Sequence, residues 1–167
     1  MFEYLKKHKI ILVTGPQRSG TTICARMIAH DTGHTYIDEQ RFQIWDVKKA
    51  RQIAKDMAPS VVQGPGLLLD ADRFVNVVLM KRRLKDIEKS LRLRARLAET
   101  LAKKYYPALL TNDPAKFLPA IMYANYFVTA RPKVHNQIDI DYFDLQRHPL
   151  WVPEEERKGW RIRQWKN

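Results

Sequence analysis

Gly15 and Gly20 bracket the stretch Pro16-Gln17-Arg18-Ser19, and two threonines, Thr21 and Thr22, follow at once. The spacing is that of the phosphate-cradling loop G-x-x-x-x-G-K-[ST], except that Thr21 stands in the lysine position. A loop of this kind offers consecutive backbone N–H groups to an anion at a helix N-terminus, reinforced by the positive end of the helix dipole. Enzymes acting on nucleoside triphosphates set the lysine on the β/γ-phosphates and the next hydroxyl on Mg²⁺. Without that lysine, the loop is expected to hold a phosphate-like group lacking the usual triphosphate apparatus, with Arg18 as the replacement cation. The plain alternative is an ordinary strand, glycine turn and helix.

The elements that must position this loop read as alternating strands and helices. Strands are expected over Lys9–Thr14, His34–Asp38, Ser60–Gln63, Phe74–Met80 and Gln137–Tyr142. The β-branched run Phe74–Met80 is the natural central strand. A helix from Gly20 to Asp31 ends at Gly33, a suitable left-handed stop. A second helix is expected over Gln40–Met57, broken before Pro59. A long third helix starts near Leu84, with Leu84, Ile87, Leu91, Ala95, Ala98 and Ala102 on one face. Lys85, Lys89, Arg92, Arg96 and Lys103 form the adjacent stripe, whose simplest role is a solvated surface. A further helix is expected around Phe117–Phe127. The pattern implies an α/β fold of three layers: a mostly parallel sheet of four to five strands with helices on both faces. At 167 residues, the chain (1–167) reads as one domain able to bury its own core.

Composition narrows the function classes. The single cysteine, Cys24, excludes an internal disulfide and suits a reducing compartment. No stretch approaches the ~18 apolar residues of a membrane span, so the expectation is a cytoplasmic protein without a membrane partner. The net charge is +12, and residues 81–104 hold ten Lys/Arg against three acids. Such an excess suits a polyanionic partner. Nucleic acid is disfavoured, because no aromatic residue is interleaved with these charges before Tyr105. No His/Cys/Asp group has metal-ligand spacing, and no metal is expected to be required.

Two further stretches carry chemistry. Arg82 closes the expected central strand and stands eight residues before Ser90, with Asp86 between them. A guanidinium at a strand end and a hydroxyl two helical turns on can grip one phosphate from two sides. Asp38 and Glu39 close the expected second strand, facing the same edge. The pair is either a source of a general base or a cap for the helix that follows.

G-P-Q-R-S-G-T-T at 15–22 resembles the 5′-phosphosulfate loop of sulfotransferases that use 3′-phosphoadenosine 5′-phosphosulfate (PAPS). Arg82-x₇-Ser90 is similar to the family element binding the donor's 3′-phosphate, although Arg83-Leu84 replaces its Asn-Pro pair. I-D-I-D-Y-F-D-L-Q-R-H-P at 138–149 resembles the segment after the family's last core strand, where Tyr142 is expected against the nucleotide and Asp144 as a helix cap. Arg157-Lys158-Gly159 resembles a late segment closing over the 3′-phosphate. The matches run in family order over residues 10–159, in a chain shorter than a typical member.

The resemblance implies a P-loop NTPase-like fold and sulfuryl transfer from PAPS to a hydroxyl or amine of a small-molecule or glycan acceptor. It places Gly15, Arg18, Ser19, Gly20, Thr21 and Thr22 on the 5′-phosphate, and Arg82, Ser90, Arg157, Lys158 and Gly159 on the 3′-phosphate. Arg18, with the N–H groups of 19–22, is expected to stabilise the departing oxygen. The histidine base of cytosolic members has no counterpart in V-V-Q-G-P at 61–65; the chain is more similar to branches of the family that use a glutamate beyond the first helix, which implies Glu39 as the base, with Asp38 in reserve. The competing readings are a small nucleotide or nucleoside kinase and a non-catalytic nucleotide-binding module. The oligomeric state stays open.

Overall fold

The computed structural model describes residues 1–43, 46–93, 95–108 and 113–153. Five strands, β1 (Ile10–Thr14), β2 (Thr35–Ile37), β3 (Ser60–Gln63), β4 (Asn76–Lys81) and β5 (Asn136–Asp141), form one sheet. The order is β2-β3-β1-β4-β5, and every pairing is parallel. Parallel strands need crossover connections, which here place helices on both faces. In β1 and β4 the sequence shows this as unbroken apolar runs, because alternate residues enter opposite cores, whereas β5 alternates and buries only Ile140.

On one face Ile11, Val13, Val61, Val78, Met80 and Ile140 meet Cys24, Ala25, Met27 and Ile28 of helix α1 (Thr21–Thr32). On the other, Leu12, Val62, Val77 and Leu79 meet Ala50 and Ala54 of α2 (Val47–Asp56). Leu101 of α4 (Ala95–Tyr105) and Leu118 and Met122 of α5 (Pro114–Asn125) extend that second core. Each fully buried aliphatic side chain stabilises by ~1.5–3 kcal/mol, so the sheet cannot slip by one residue without exposing both faces. Gly33 ends α1 in the left-handed region (φ 73°), its N–H donating to Ala29 O.

Several element boundaries depart from expectation. The helix expected over 40–57 is a 3₁₀ turn at Glu39–Arg41 and then α2, which starts only after Asp46 caps it through the Lys49 N–H (2.9 Å). Asp38 caps the preceding turn in the same way, so two caps divide one apolar pattern. The long third helix is two helices. α3 (Leu84–Arg92) ends at Leu93, which is 79% exposed, and α4 begins afresh. Ile87, Leu91, Ala98 and Ala102 are buried as the pattern demands, whereas Leu84 is 45% exposed. The basic stripe lies exposed on both helices, and Arg92 pairs with Glu88 and Asp113. Helix α5 starts three residues earlier than expected because Pro114 takes its first turn, where no N–H is needed. A π turn, Tyr126–Ala130, continues it.

Among the described residues, no helix is long and apolar enough to cross a membrane. Arg157, Lys158, Gly159, Trp160 and Trp165 lie outside the described residues.

Candidate functional site

In an all-parallel sheet every strand presents its carboxyl end at the same edge, so the segments following β1, β2, β3, β4 and β5 converge there. Those segments hold the glycine loop, Asp38-Glu39, Gly64, Arg82 and Tyr142.

The loop is held tightly from below. Gly15 (φ 152°) has no room for a side chain, since a Cβ would lie 2.7 Å from Ser19 Oγ and 2.9 Å from Met80 O. Gly20 (φ 101°) lies against the ring of Tyr142, where a Cβ would fall 2.5 Å from a ring carbon. Arg18 also takes a positive φ, 71°, a conformation tolerated where the surrounding structure imposes it. Thr14 Oγ1 donates to Gly64 O (2.8 Å), and Gly64 N–H donates to Val13 O (3.1 Å), fastening the ends of β1 and β3 together. α1 begins immediately after Gly20.

One expectation for the loop needs correction. The Ser19 N–H, assigned to a departing oxygen, donates to Pro16 O (3.1 Å) within the loop turn. The Ser19 hydroxyl, fully buried, has no hydrogen-bond partner among the described residues. A buried unmatched hydroxyl costs about 1–3 kcal/mol, which an anion seated in the loop could offset.

The basic side of the site gathers on Arg18. Its Nε donates to Ser90 Oγ (2.8 Å), and Arg82 donates to the Arg18 carbonyl (3.1 Å). Arg18, Arg82 and Ser90 are thus brought together although up to 72 residues separate them in sequence. Asp86 pairs with Arg83 (2.8 Å). The Arg82 guanidinium stacks 4.1 Å from the centre of the Tyr142 ring, and Arg83 lies 4.7 Å from that of Phe143. Trp151 meets Tyr142 edge-on, their ring centres 5.3 Å apart. Arg82, Arg83, Asp86, Tyr142, Phe143 and Trp151 line a cleft of about 440 Å³ beside the loop. Asp144 does not cap through its side chain; Phe143 N–H donates to Asp141 Oδ1 instead (2.9 Å).

The acidic side separates the Asp38-Glu39 pair. Asp38 is consumed, accepting from Gln40 N–H (3.0 Å) and the Tyr36 hydroxyl (2.9 Å). Glu39 is the freer group: its Oε2 is buried without a partner among the described residues. Burial, and then the Asp38 charge, push its carboxyl up to about 7, against a smaller lowering pull from Gln63. Gln63, which sequence reasoning passed over except as a missing histidine, bridges the Glu39 backbone to the loop. Its Nε2 donates to Thr21 Oγ1 (3.3 Å), and its Oε1 receives the Glu39 N–H (3.5 Å). The available signal was a polar residue closing β3 after the apolar pair Val61-Val62.

Far from the loop, at the other end of α1, His30 Nδ1 and His148 Nε2 both contact Asp31 Oδ1 (3.1 and 3.0 Å). The ring and carboxylate atoms lie within 4.8 Å of one another. His148 Nδ1, however, accepts the Leu150 N–H (3.0 Å). Its Nε2 therefore carries the proton toward Asp31, and the group is a hydrogen-bonded clasp rather than a cation cage.

The parallel β2-β3-β1-β4-β5 sheet, its glycine loop between β1 and α1, and the layers on both faces define the α/β fold of the P-loop kinases. Shikimate kinase from Acinetobacter baumannii, solved with shikimate, shares it with a TM-score of 0.50 at 14% identity, over 84% of this chain and 88% of that one. The YorR protein of Bacillus subtilis, solved with phosphorylated GDP, gives a TM-score of 0.47 at 14% identity, over 90% of this chain and 92% of that one. No protein-family profile matches the sequence, and no curated protein matches it.

Proposed function

We propose that the chain is a nucleotide-dependent group-transfer enzyme, a small phosphotransferase acting on the hydroxyl of a small acceptor. The observation that carries this reading is the pairing of an anion loop with a proton acceptor at one sheet edge. The Gly15–Thr22 loop, with the Ser19 hydroxyl buried and unmatched, is joined through Gln63 to Glu39. The kinase-type fold favours a phosphoryl group as the one transferred.

Phosphoryl transfer asks the protein mainly for positioning and charge stabilisation. Arg18 and the loop N–H groups beyond Ser19 would hold the phosphates, and Glu39 would take the acceptor's proton. The aromatic and guanidinium faces of the Arg82–Tyr142–Trp151 cleft suit a stacked nucleobase. Thr22 stands where the loop pattern sets a hydroxyl on Mg²⁺, while Thr21, in the lysine position, is bonded to Gln63. Arg18 and Arg82 would supply the fixed positive charge on the phosphates.

A second reading, sulfuryl transfer from PAPS, is favoured by one observation: Arg82 and Ser90 both meet Arg18, a cluster suited to a second phosphate. A ligand panel separates the two by thermal shift, using ADP, ATP and 3′,5′-bisphosphoadenosine, each with and without Mg²⁺. Ligand at 100 times its Kd stabilises by about 2.7 kcal/mol. Preference for ADP and ATP supports the phosphotransferase; preference for the bisphosphate without metal replaces it with the second reading. No response to any of the three rejects both. Under either, Glu39→Gln abolishes turnover while ligand binding persists.

A further inference from the structure

Gln63 has no direct part in the chemistry above, yet it touches both halves of it. It closes β3, is 2% exposed, and uses the two ends of one amide on two different segments of the chain. We infer that Gln63 is a positioning residue that holds the Glu39 backbone, and with it the carboxyl, in register with Thr21 of the anion loop, so that a change at Thr21 is transmitted to Glu39.

The residue type fits the task. A carboxylate here would repel both Glu39 and an anion in the loop. A shorter or apolar side chain would leave the Glu39 N–H or the Thr21 hydroxyl without its partner. An amide supplies a donor and an acceptor with no charge. Burial makes the arrangement strict, because a buried amide that loses a partner costs roughly 1–3 kcal/mol. Glu39 also depends on it: with Oε2 unpartnered, Gln63 is what opposes burial and the Asp38 charge at this carboxyl. Asp38 is the other ionisable group acting on it, and it is held by its own cap and by Tyr36.

This inference rests on the proposed function only in calling Glu39 the base; its test reads no nucleotide and no turnover. The protein is labelled with carboxyl-¹³C glutamate, and the Glu39 signal, assigned by its loss in Glu39→Gln, is titrated by NMR. Gln63→Met removes the amide at nearly constant shape and is expected to raise the Glu39 midpoint. Thr21→Val is expected to move that midpoint by roughly 0.5 in pH when Gln63 is present and not at all in the Gln63→Met background. An unchanged midpoint in Gln63→Met, or equal Thr21→Val effects in both backgrounds, overturns the assignment. Should Gln63→Met fail to fold, Thr21→Ser, which keeps the hydroxyl that meets Gln63, must leave the midpoint in place while Thr21→Val moves it. Equal effects of the two substitutions overturn the inference. A positive titration with a silent ligand panel would retire the proposed function and leave this coupling standing.

Discussion

Glu39 shows at the scale of one residue how the fold turns a common side chain into a reactive one. Its carboxyl is pushed up to about 7 by burial and by Asp38, so near neutral pH it can both take and return a proton. The ionised form accumulates as pH rises, so under the proposed function turnover is expected to climb through about pH 7. The same shift has a stability consequence of opposite sense. The folded state holds the proton more tightly than the unfolded chain, so stability falls between about pH 4.5 and 7 and stays reduced above. Glu39→Gln removes that penalty. The variant is expected to be more stable than the parent at pH 8, by on the order of 1 kcal/mol after discounting for solvent screening, and no more stable at pH 4. Urea melts at the two pH values read the difference; an equal offset at both would show that burial is not acting on this carboxyl.

At the scale of elements, local caps overrule apolar periodicity. The pattern over 40–57 fits a single helix, yet Asp38 and Asp46 each bind a backbone N–H and start separate elements. The division matters for the site, because the first cap holds Asp38 aside and leaves Glu39 available. Asp46→Ala is expected to destabilise by about 1 kcal/mol and to leave the Glu39 titration unmoved, since it frays only the start of α2. A cooperative urea melt measures the loss. A shifted Glu39 midpoint would mean that α2 and the 3₁₀ turn behave as one element. α3 and α4 repeat the lesson. Their common apolar face is real, but the chain breaks at Leu93 so that both helices can pack on α5 through Ile87, Leu91, Ala98 and Ala115.

Across the whole molecule, Asp31 ties three distant parts together: the start of the chain, the end of α1 and the segment after β5. Burial alone would raise its carboxyl. Hydrogen bonds from the Phe2 N–H, the Met1 amine, His30 and His148 outweigh that and hold it well below the usual carboxylate range. The clasp therefore stabilises fully above about pH 4 and is lost as pH falls below it. Asp31→Asn is expected to cost about 2 kcal/mol at pH 7, with the difference from the parent shrinking in acid. His148 O also accepts the Trp151 N–H (2.8 Å), so the variant should loosen the Trp151 side of the cleft, visible as a change in tryptophan fluorescence. A stability loss that persisted unchanged to pH 3 would contradict the clasp.

The chain order by itself determined the alternation of strands and helices, the glycine loop and the edge on which Arg82, Asp38-Glu39 and Tyr142 must fall. These follow from short-range rules: apolar runs for strands covered on both faces, glycine where φ is positive, and carboxyl ends that point one way in a parallel sheet. Tertiary structure alone decided which of those residues meet. Ser90 contacts Arg18 across 72 positions, Gln63 joins Thr21 to Glu39, and Asp86 pairs with Arg83. No periodicity encodes these contacts, because hydrogen bonds between side chains depend on distances set by how the layers close. The raised proton affinity of Glu39 has the same origin, since burial is a property of the closed fold and not of any segment of it.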